Sequence, residues 1–365
     1  MAADMTQTAI PFTFMRGGTS RGPYMRRDDL PEDLNTLSEV LIAIVGSGHD
    51  LNIDGIGGGA AVTTKVAMLS VSEDPWADVD YFFAQVSVSD KLVDFKPTCG
   101  NILSGVGPAA IEMGLVRAQD GETPVNIRAV NTGAKVAARV QTPGGQVGYS
   151  GNAQVDGVPG TSAPVALQFM ETVGGSTGSF LPTGNLIDDI DGIPVTCMDV
   201  AMPMVIARAE SFGLVGTETA SALDENKEFF ARMEAVRLKA GAMMGLGDVS
   251  ESVIPKFGLV SPPRNGGTVT TRYFMPWNTH PSMAVTGAQC LASCVLAPGT
   301  IADFALPNET PARIVLEHPS GSLDVLVDYE NSADGFQIKS AGLVRTARKL
   351  AEGHVFIPSE IWAGN

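Results

Sequence analysis

One lysine interrupts an otherwise uncharged run, Val62-Thr63-Thr64-Lys65-Val66-Ala67-Met68-Leu69, directly after Gly57-Gly58-Gly59. An ammonium in such a run is expensive to bury unless its charge is used or removed, and desolvation favours the neutral amine, a competent base. A lysine on the solvent face, its stem lying along apolar surface, would show the same pattern. The glycine run, able to turn backbone N–H groups toward an anion, favours a functional lysine. A second candidate is Thr98-Cys99-Gly100-Asn101, which opens an apolar stretch over 101–114. A thiol at the mouth of a helix meets unpaired N–H groups and the positive end of the dipole, which favour its thiolate. Gly100 would let a ligand carboxylate reach the backbone, and Asn101 would add a donor. A buried structural cysteine beside a glycine turn is the plain alternative.

Met15-Arg16-Gly17-Gly18-Thr19-Ser20-Arg21-Gly22 sets two arginines and two hydroxyls on a glycine-rich segment. Arginine suits bidentate capture of a carboxylate, so Arg16, Thr19, Ser20 and Arg21 form a candidate clamp. A simple N-terminal hairpin fits the same residues. No Gly-Lys-Ser/Thr follows, so this is not a phosphate loop. Downstream, His280 precedes Ser282 and Met283 at the start of a second apolar stretch, 284–296. His280 is either a donor to a carboxylate or a satisfied core histidine. With Thr64 beside Lys65, these residues complete the candidate substrate-binding set.

Other chemistries lack their motifs. Four histidines and four cysteines are scattered without ligand spacing, which argues against a metal site or a disulfide framework. Cys290 and Cys294, four apart in an apolar stretch, are expected in a core. There is no Gly-x-Gly-x-x-Gly between strand and helix. Asp188-Asp189-Ile190-Asp191 matches neither a calcium loop nor a glycosidase acid pair and reads as a solvated turn.

The elements that must position these groups are short. Strands are predicted over 62–70, 80–88, 125–130, 135–141, 195–198, 203–208, 269–275, 312–316 and 323–328, where β-branched or apolar runs end at turn residues. Amphipathic helices are predicted over 35–45 and 225–241. The stretches 101–114 and 284–296 are apolar on nearly all sides and must be buried on all sides. Each begins with a small polar turn and has candidate strands before and after it. This predicts an internal duplication: an α+β chain in two domains, 1–184 and 185–365, each wrapping sheet around one central helix. The C-terminal strands over 345–365 can return to the first domain.

The chain has 365 residues, 44% of them hydrophobic, enough for two cores without a disulfide or metal staple. No apolar run approaches the roughly 20 residues of a membrane span, and no signal peptide is evident, so a cytoplasmic enzyme is expected. With 24 basic against 40 acidic residues, the net charge of −16 offers no footprint for nucleic acid or anionic membrane. An anionic substrate would have to be attracted locally, against the field of the whole molecule.

At these motifs the sequence resembles the PrpF-like isomerases, which share the two-domain fold of diaminopimelate epimerase. The resemblance rests on Met15-Arg-Gly-Gly-Thr-Ser20, Lys65-Val-Ala67 and Cys99-Gly-Asn101. It extends to Asp156-Gly-Val-Pro-Gly-Thr-Ser-Ala-Pro164, Leu181-Pro-Thr-Gly-Asn185 and Ala341-Gly-Leu-Val-Arg-Thr-Ala-Arg348, so it covers essentially the whole chain. Within the family the chain is most similar to the 4-oxalomesaconate tautomerase/isomerase branch of aromatic-acid degradation, on Asp191-Gly-Ile-Pro-Val-Thr-Cys197, Ala201-Met-Pro203, Glu234-Ala-Val-Arg-Leu-Lys-Ala-Gly241 and Leu246-Gly-Asp248. The alternatives are 2-methylaconitate cis–trans isomerase and, less favoured, an epimerase or racemase. The resemblance implies an isomerase that needs no cofactor or metal, acts on a small polycarboxylate in the cleft between domains, and uses Lys65 and Cys99 as its acid–base pair. It is compatible with a homodimer. Epimerases of this fold carry a second cysteine at the start of the second central helix. Ser282-Met283-Ala284 holds no thiol there, which favours an allylic proton shift over two-cysteine racemisation.

Overall fold

A computed structural model describes residues 6–170, 172–275, 277–302, 309–332 and 335–364. The chain divides into two units, Met1–Leu167 with Val344–Asn365, and Gln168–Leu343.

Unit 1 begins with an antiparallel hairpin, β1 (Gln7–Gly17) and β2 (Ser20–Arg26), closed by Gly18 and Thr19. The segment read as a glycine-rich loop is therefore strand–turn–strand. After α1 (Leu34–Val45), β3 (Lys65–Val71) lies parallel to β2 and β4 (Val79–Val86) lies antiparallel to β3. The short β5 (Val93–Asp94) pairs with β4 and leads to α2 (Gly100–Leu103) and α3 (Val106–Glu112). Next, β6 (Gly121–Ala129) runs parallel to β4, β7 (Lys135–Thr142) turns back on it, and β8 (Pro164–Met170) follows.

Unit 2 repeats this order. After β9 (Asp188–Ile190) come the hairpin β10 (Ile193–Asp199) and β11 (Pro203–Arg208), then α4 (Ala220–Glu225) and α5 (Lys227–Met243). β12 (Lys256–Ser261) is parallel to β11, and β13 (Val269–Phe274) is antiparallel to β12. The helix α6 (Val285–Leu296) leads to β14 (Ala312–His318), parallel to β13, and to β15 (Gly321–Ser332), antiparallel to β14. β16 (Gly335–Pro358) pairs first with β15, and its last part returns to β1 of unit 1. The same wiring twice is the signature of duplication, in an α+β fold.

Each sheet has a helix on either face. In unit 1, Leu37, Val40, Leu41 and Ile44 of α1 pack on Val66, Met68 and Ala84, while α3 covers the other face, with Gly107 against Val125, Ala138 and Val140. In unit 2, α5 packs on Val205, Phe257 and Leu259, and α6 packs on Met204, Val260 and Ile314. Every residue of α6 from Gly287 to Leu296 is buried, including Cys290 and Cys294, as its all-round apolarity requires. Its approach is close: a Cβ on Gly287 would lie 2.2 Å from the Tyr273 ring.

Four local readings differ from the structure. The apolar stretch 101–114 is two helices rather than one. Pro108 has no N–H to donate to the Ser104 carbonyl, and the Ser104 hydroxyl instead bonds the Asn101 carbonyl at 2.6 Å, tightening the turn. The helix expected over 225–241 starts at Lys227, because the Asn226 side chain caps it by accepting from Phe229 N–H. Lys65 begins its strand instead of sitting inside it, since residues 61–63 form a turn that Thr63 closes onto Ala60. Asp188 is buried and not solvated: it accepts from the Thr183 hydroxyl and the Asn185 amide, each at 2.7 Å. The strands β1, β2, β5, β8, β9 and β12 lie outside the predicted set; β1, β2 and β12 carry glycines and charges that mask their alternation.

One buried carboxylate ties the β14 end of unit 2. Glu317 is 4% exposed and accepts from Arg264 N–H, Asn265 N–H, Gly267 N–H and the Thr270 hydroxyl. Burial alone would raise its pKa, but these hydrogen bonds outweigh it and hold the carboxyl at about 2. With the folded pKa below the ordinary 4.5, the stabilisation is complete above that ordinary value and is lost as pH falls through about 2. Glu317→Gln is expected to lower stability by roughly 1–3 kcal/mol at pH 7. In denaturant titrations the gap from the parent should close as pH falls below the ordinary value; a gap constant with pH would refute this account.

Candidate active site

Lys65 is placed by its two neighbouring strands. The register pairs Tyr24 with Ala67, Ala67 with Phe83 and Leu69 with Tyr81, so Tyr24, Tyr81 and Phe83 share the face from which Lys65 projects. That face looks toward α2 and α3. The Lys65 ammonium stands 5.3 Å from the centre of the Phe83 ring and donates to Gln85 Oε1 at 2.6 Å. Gly22 makes room for this start of β3: a Cβ there would fall 1.7 Å from the Lys65 carbonyl oxygen.

Gln85 is itself fixed. Its amide nitrogen donates to the Ala61 carbonyl at 3.1 Å, the Thr64 hydroxyl at 3.1 Å and the Val86 carbonyl at 3.2 Å. The opposite amide orientation would set an NH₂ against the lysine and an oxygen against two carbonyls, so only one orientation satisfies all partners. Thr64 is buried, and its hydroxyl donates to the Val86 carbonyl at 2.6 Å. Thr64 therefore braces Gln85. Gln85 offers Lys65 a dipole, and no carboxylate pairs with Lys65 among the described residues.

Cys99 is half-buried and extended, at the residue before α2. Its carbonyl accepts from Leu103 N–H at 2.8 Å and from the Tyr81 hydroxyl at 3.5 Å. Tyr24 donates to the Ile102 carbonyl at 2.5 Å, so two buried phenols hold the segment that carries the thiol. Burial first, and the nearness of Cys99 second, push both phenols well above the ordinary tyrosine value. They stay protonated and act as donors. The structure thus brings Lys65 and Cys99 to one face of the sheet in unit 1.

The hairpin turn packs against Asn101. A Cβ on Gly18 would lie 2.2 Å from Asn101 Oδ1, and one on Gly17 would lie 2.5 Å from the Asn101 carbonyl oxygen. Thr19 N–H donates to Asn101 Oδ1 at 3.4 Å, and Gly100 and Asn101 start α2 beside the turn. Arg16 is largely spent internally: Nη1 donates to the Gly18 carbonyl at 2.9 Å and to the Thr346 carbonyl at 2.9 Å and hydroxyl at 3.0 Å. Burial, and then Arg348, lower its pKa from the ordinary arginine value. Arg16 braces the turn, whereas Arg21, opposite it across the hairpin, is exposed above the Phe14 ring. Ser20 is buried at the start of β2.

The remaining candidates lie in unit 2. His280 donates its backbone N–H to the Tyr273 carbonyl at 2.8 Å, and its Nδ1 accepts from Ser282 N–H at 3.0 Å. Burial lowers its pKa, and Lys256 lowers it further. The Ser282 hydroxyl lies 3.4 Å from His318 Nε2. Met283 is buried in the core around α6. Among the described residues no cluster of three His, Cys, Asp or Glu side chains could hold a metal ion, and no helix is long and apolar enough to cross a membrane.

Sequence reasoning did not single out Gln85, Tyr24, Tyr81 or Phe83. Only strand register reveals them, because each acts on a residue far away in the chain. Gln85 stands opposite Lys65, and a lone amide in the strand 79–86 was the available signal.

The family model described as PrpF protein matches residues 7–358. The chain is 45% identical to (4E)-oxalomesaconate Delta-isomerase of Novosphingobium sp. (strain KA1), over 97% of this chain and 99% of the relative. It is also 45% identical to 4-oxalomesaconate tautomerase of Pseudomonas putida, over 99% of each. A crystal structure of methylitaconate-delta-isomerase superposes with a TM-score of 0.89 at 32% identity, covering 98% of this chain and 97% of that one. A hydroxyproline epimerase from Agrobacterium vitis shares the fold, with a TM-score of 0.50 at 14% identity, covering 98% of this chain and 94% of that one. Matched along nearly its whole length, the chain belongs to the PrpF family of isomerases.

Proposed function

We propose that this isomerase moves a proton across an allylic system of 4-oxalomesaconate, as a 1,3-shift or keto–enol tautomerisation, in the breakdown of aromatic acids. The observation that carries the reading is the placement of Lys65, held by a fixed amide, and Cys99, held by two buried phenols, on one sheet face. The names of the two relatives at 45% identity support the choice of substrate.

A C–H beside a conjugated carbonyl is acidic because its carbanion delocalises as a dienolate. Lys65, as the neutral amine, takes that proton and becomes an ammonium. The electron pair moves through the carbonyl system, and the double bond shifts by one position. The Cys99 thiol delivers a proton to the other end and becomes a thiolate. Proton transfer from Lys65 to Cys99 through solvent restores both groups. Backbone N–H groups at Gly100 and Asn101 and the side chains of Thr19 and Ser20 hold carboxylates and the developing oxyanion. A chain of net charge −16 can bind a polycarboxylate in this way, because oriented dipoles and a few local cations act at short range.

Proton NMR of 4-oxalomesaconate with the enzyme in D₂O should show deuterium entering as the double bond moves. Lys65→Met should reduce the rate on the order of 10²–10⁴-fold. No exchange with this acid, alongside turnover of 2-methylaconitate, would transfer the assignment to that substrate. Gln85→Leu should leave the fold intact and lower kcat by roughly 10–10²-fold, through loss of lysine placement. A kcat within twofold of the parent would show that Gln85 does not orient the base.

A further inference from the structure

The parallel strands β11 and β12 end beside a cavity. They run in register from the Met204–Lys256 pair to the Arg208–Val260 pair, so both chains leave the sheet at the same end. There a space of about 310 Å³ opens between the segment that follows β11 and the segment that follows β12. That is room for one small molecule. All of its lining residues belong to unit 2.

Both loops that wall the cavity are pinned by carboxylates. Glu317 accepts from the Arg264, Asn265 and Gly267 N–H groups, which fixes the loop that carries Arg264. Glu218 accepts from Val215 N–H at 2.7 Å and from Gly216 N–H at 2.9 Å, which fixes the opposite loop. The walls therefore stand ready before any ligand arrives, which lowers the ordering cost of binding.

The lining combines cations, one hydroxyl and an apolar wall. Arg208 is anchored through Nε to the Ile301 carbonyl at 3.0 Å, and its Nη1 stands 3.9 Å from Glu210 Oε1. The Glu210 side chain is 78% exposed, so that ion pair is a loose contact at the rim. Arg264 is exposed, and among the described residues nothing accepts from its guanidinium. Ser261 is buried, and its hydroxyl has no hydrogen-bond partner among the described residues. Such a group is costly to keep unless something pairs with it. Gly216 leaves the space beside it open, since a Cβ there would fall 2.2 Å from Ser261 Oγ. Leu214, Val215 and Pro262 supply the apolar wall.

We infer that this cavity binds a small organic anion, one carboxylate or phosphate group on a compact apolar body. Arg264 meets the oxyanion at the rim with Arg208 beside it, the Ser261 hydroxyl donates to it, and Leu214, Val215 and Pro262 cover the apolar part. The inference concerns unit 2 alone and does not depend on the roles of Lys65 and Cys99.

Calorimetric titration of the full chain tests this with benzoate, phenyl phosphate and the uncharged benzamide. At least one of the two anions should bind saturably at millimolar concentration and benzamide should not, and the tighter anion identifies the head group. Arg264→Gln should weaken that binding at least tenfold, and Arg264→Lys should lose less. Lys65→Met and Cys99→Ser should bind as the parent does. Ser261→Ala should weaken binding several-fold, yet leave the melting temperature of the ligand-free protein unchanged or raised, because it removes a hydroxyl that has no partner. A serine with a purely structural role would lower that temperature and leave the affinity alone. The inference is overturned by a parent that binds neither anion, by equal affinities of parent and Arg264→Gln, or by inorganic phosphate bound as tightly as phenyl phosphate. Arg264 is exposed, so its two variants decide the matter even if Ser261→Ala does not fold.

Discussion

A helix with no polar face cannot meet water along any side, and each unit is organised around that constraint. The α6 helix is buried from Gly287 to Leu296, and in unit 1 Ile102, Leu103, Val106, Ala109 and Ala110 are buried in the same way. Each fully buried aliphatic side chain contributes roughly 1.5–3 kcal/mol of transfer free energy. A single flat contact would leave most of that unrealised. Strands therefore cover the central helix while a second, amphipathic helix seals the outer face of the sheet, and the close approach depends on small residues such as Gly107 and Gly287.

This wrapping also decides where polar chemistry can survive. The helix flanks are closed by side chains, so polar groups gather at the helix mouth and at the starts of the strands beside it. Lys65 begins β3 and Lys256 begins β12, while Cys99 and Ser282 stand just before their helices. The two units share the wiring and differ in the occupants. Unit 1 has a thiol, a fixed amide and two buried phenols around its lysine. Unit 2 has a histidine and a serine ahead of α6. Duplication with divergence thus leaves different side chains at matching places in the two units.

Several residues singled out in the sequence make bracing contacts. Arg16 fastens the hairpin turn to Thr346, Thr64 holds Gln85, and Met283 fills the core around α6. Bracing has its own value at a reactive site, because a lysine side chain has many rotamers and its amine must be held close to one position to abstract a proton productively.

The sequence by itself determined the α+β class, the internal repeat and the two buried helical stretches, and it singled out Lys65 and Cys99 as candidates. Those features are local: an apolar run with no polar face, a lone charge in an uncharged segment, a thiol beside Gly100 and Asn101. Tertiary structure decided the rest. That Arg16 is spent on Thr346 follows from pairing between β1 and the far end of the chain. That Gln85 orients Lys65, and that Tyr24 and Tyr81 hold the Cys99 segment, follows from strand register. A one-residue slip would turn each of these side chains to the opposite face. Periodicity along a chain shows which face of an element is apolar; which distant element supplies the facing partner is set only when the sheet closes around its helix.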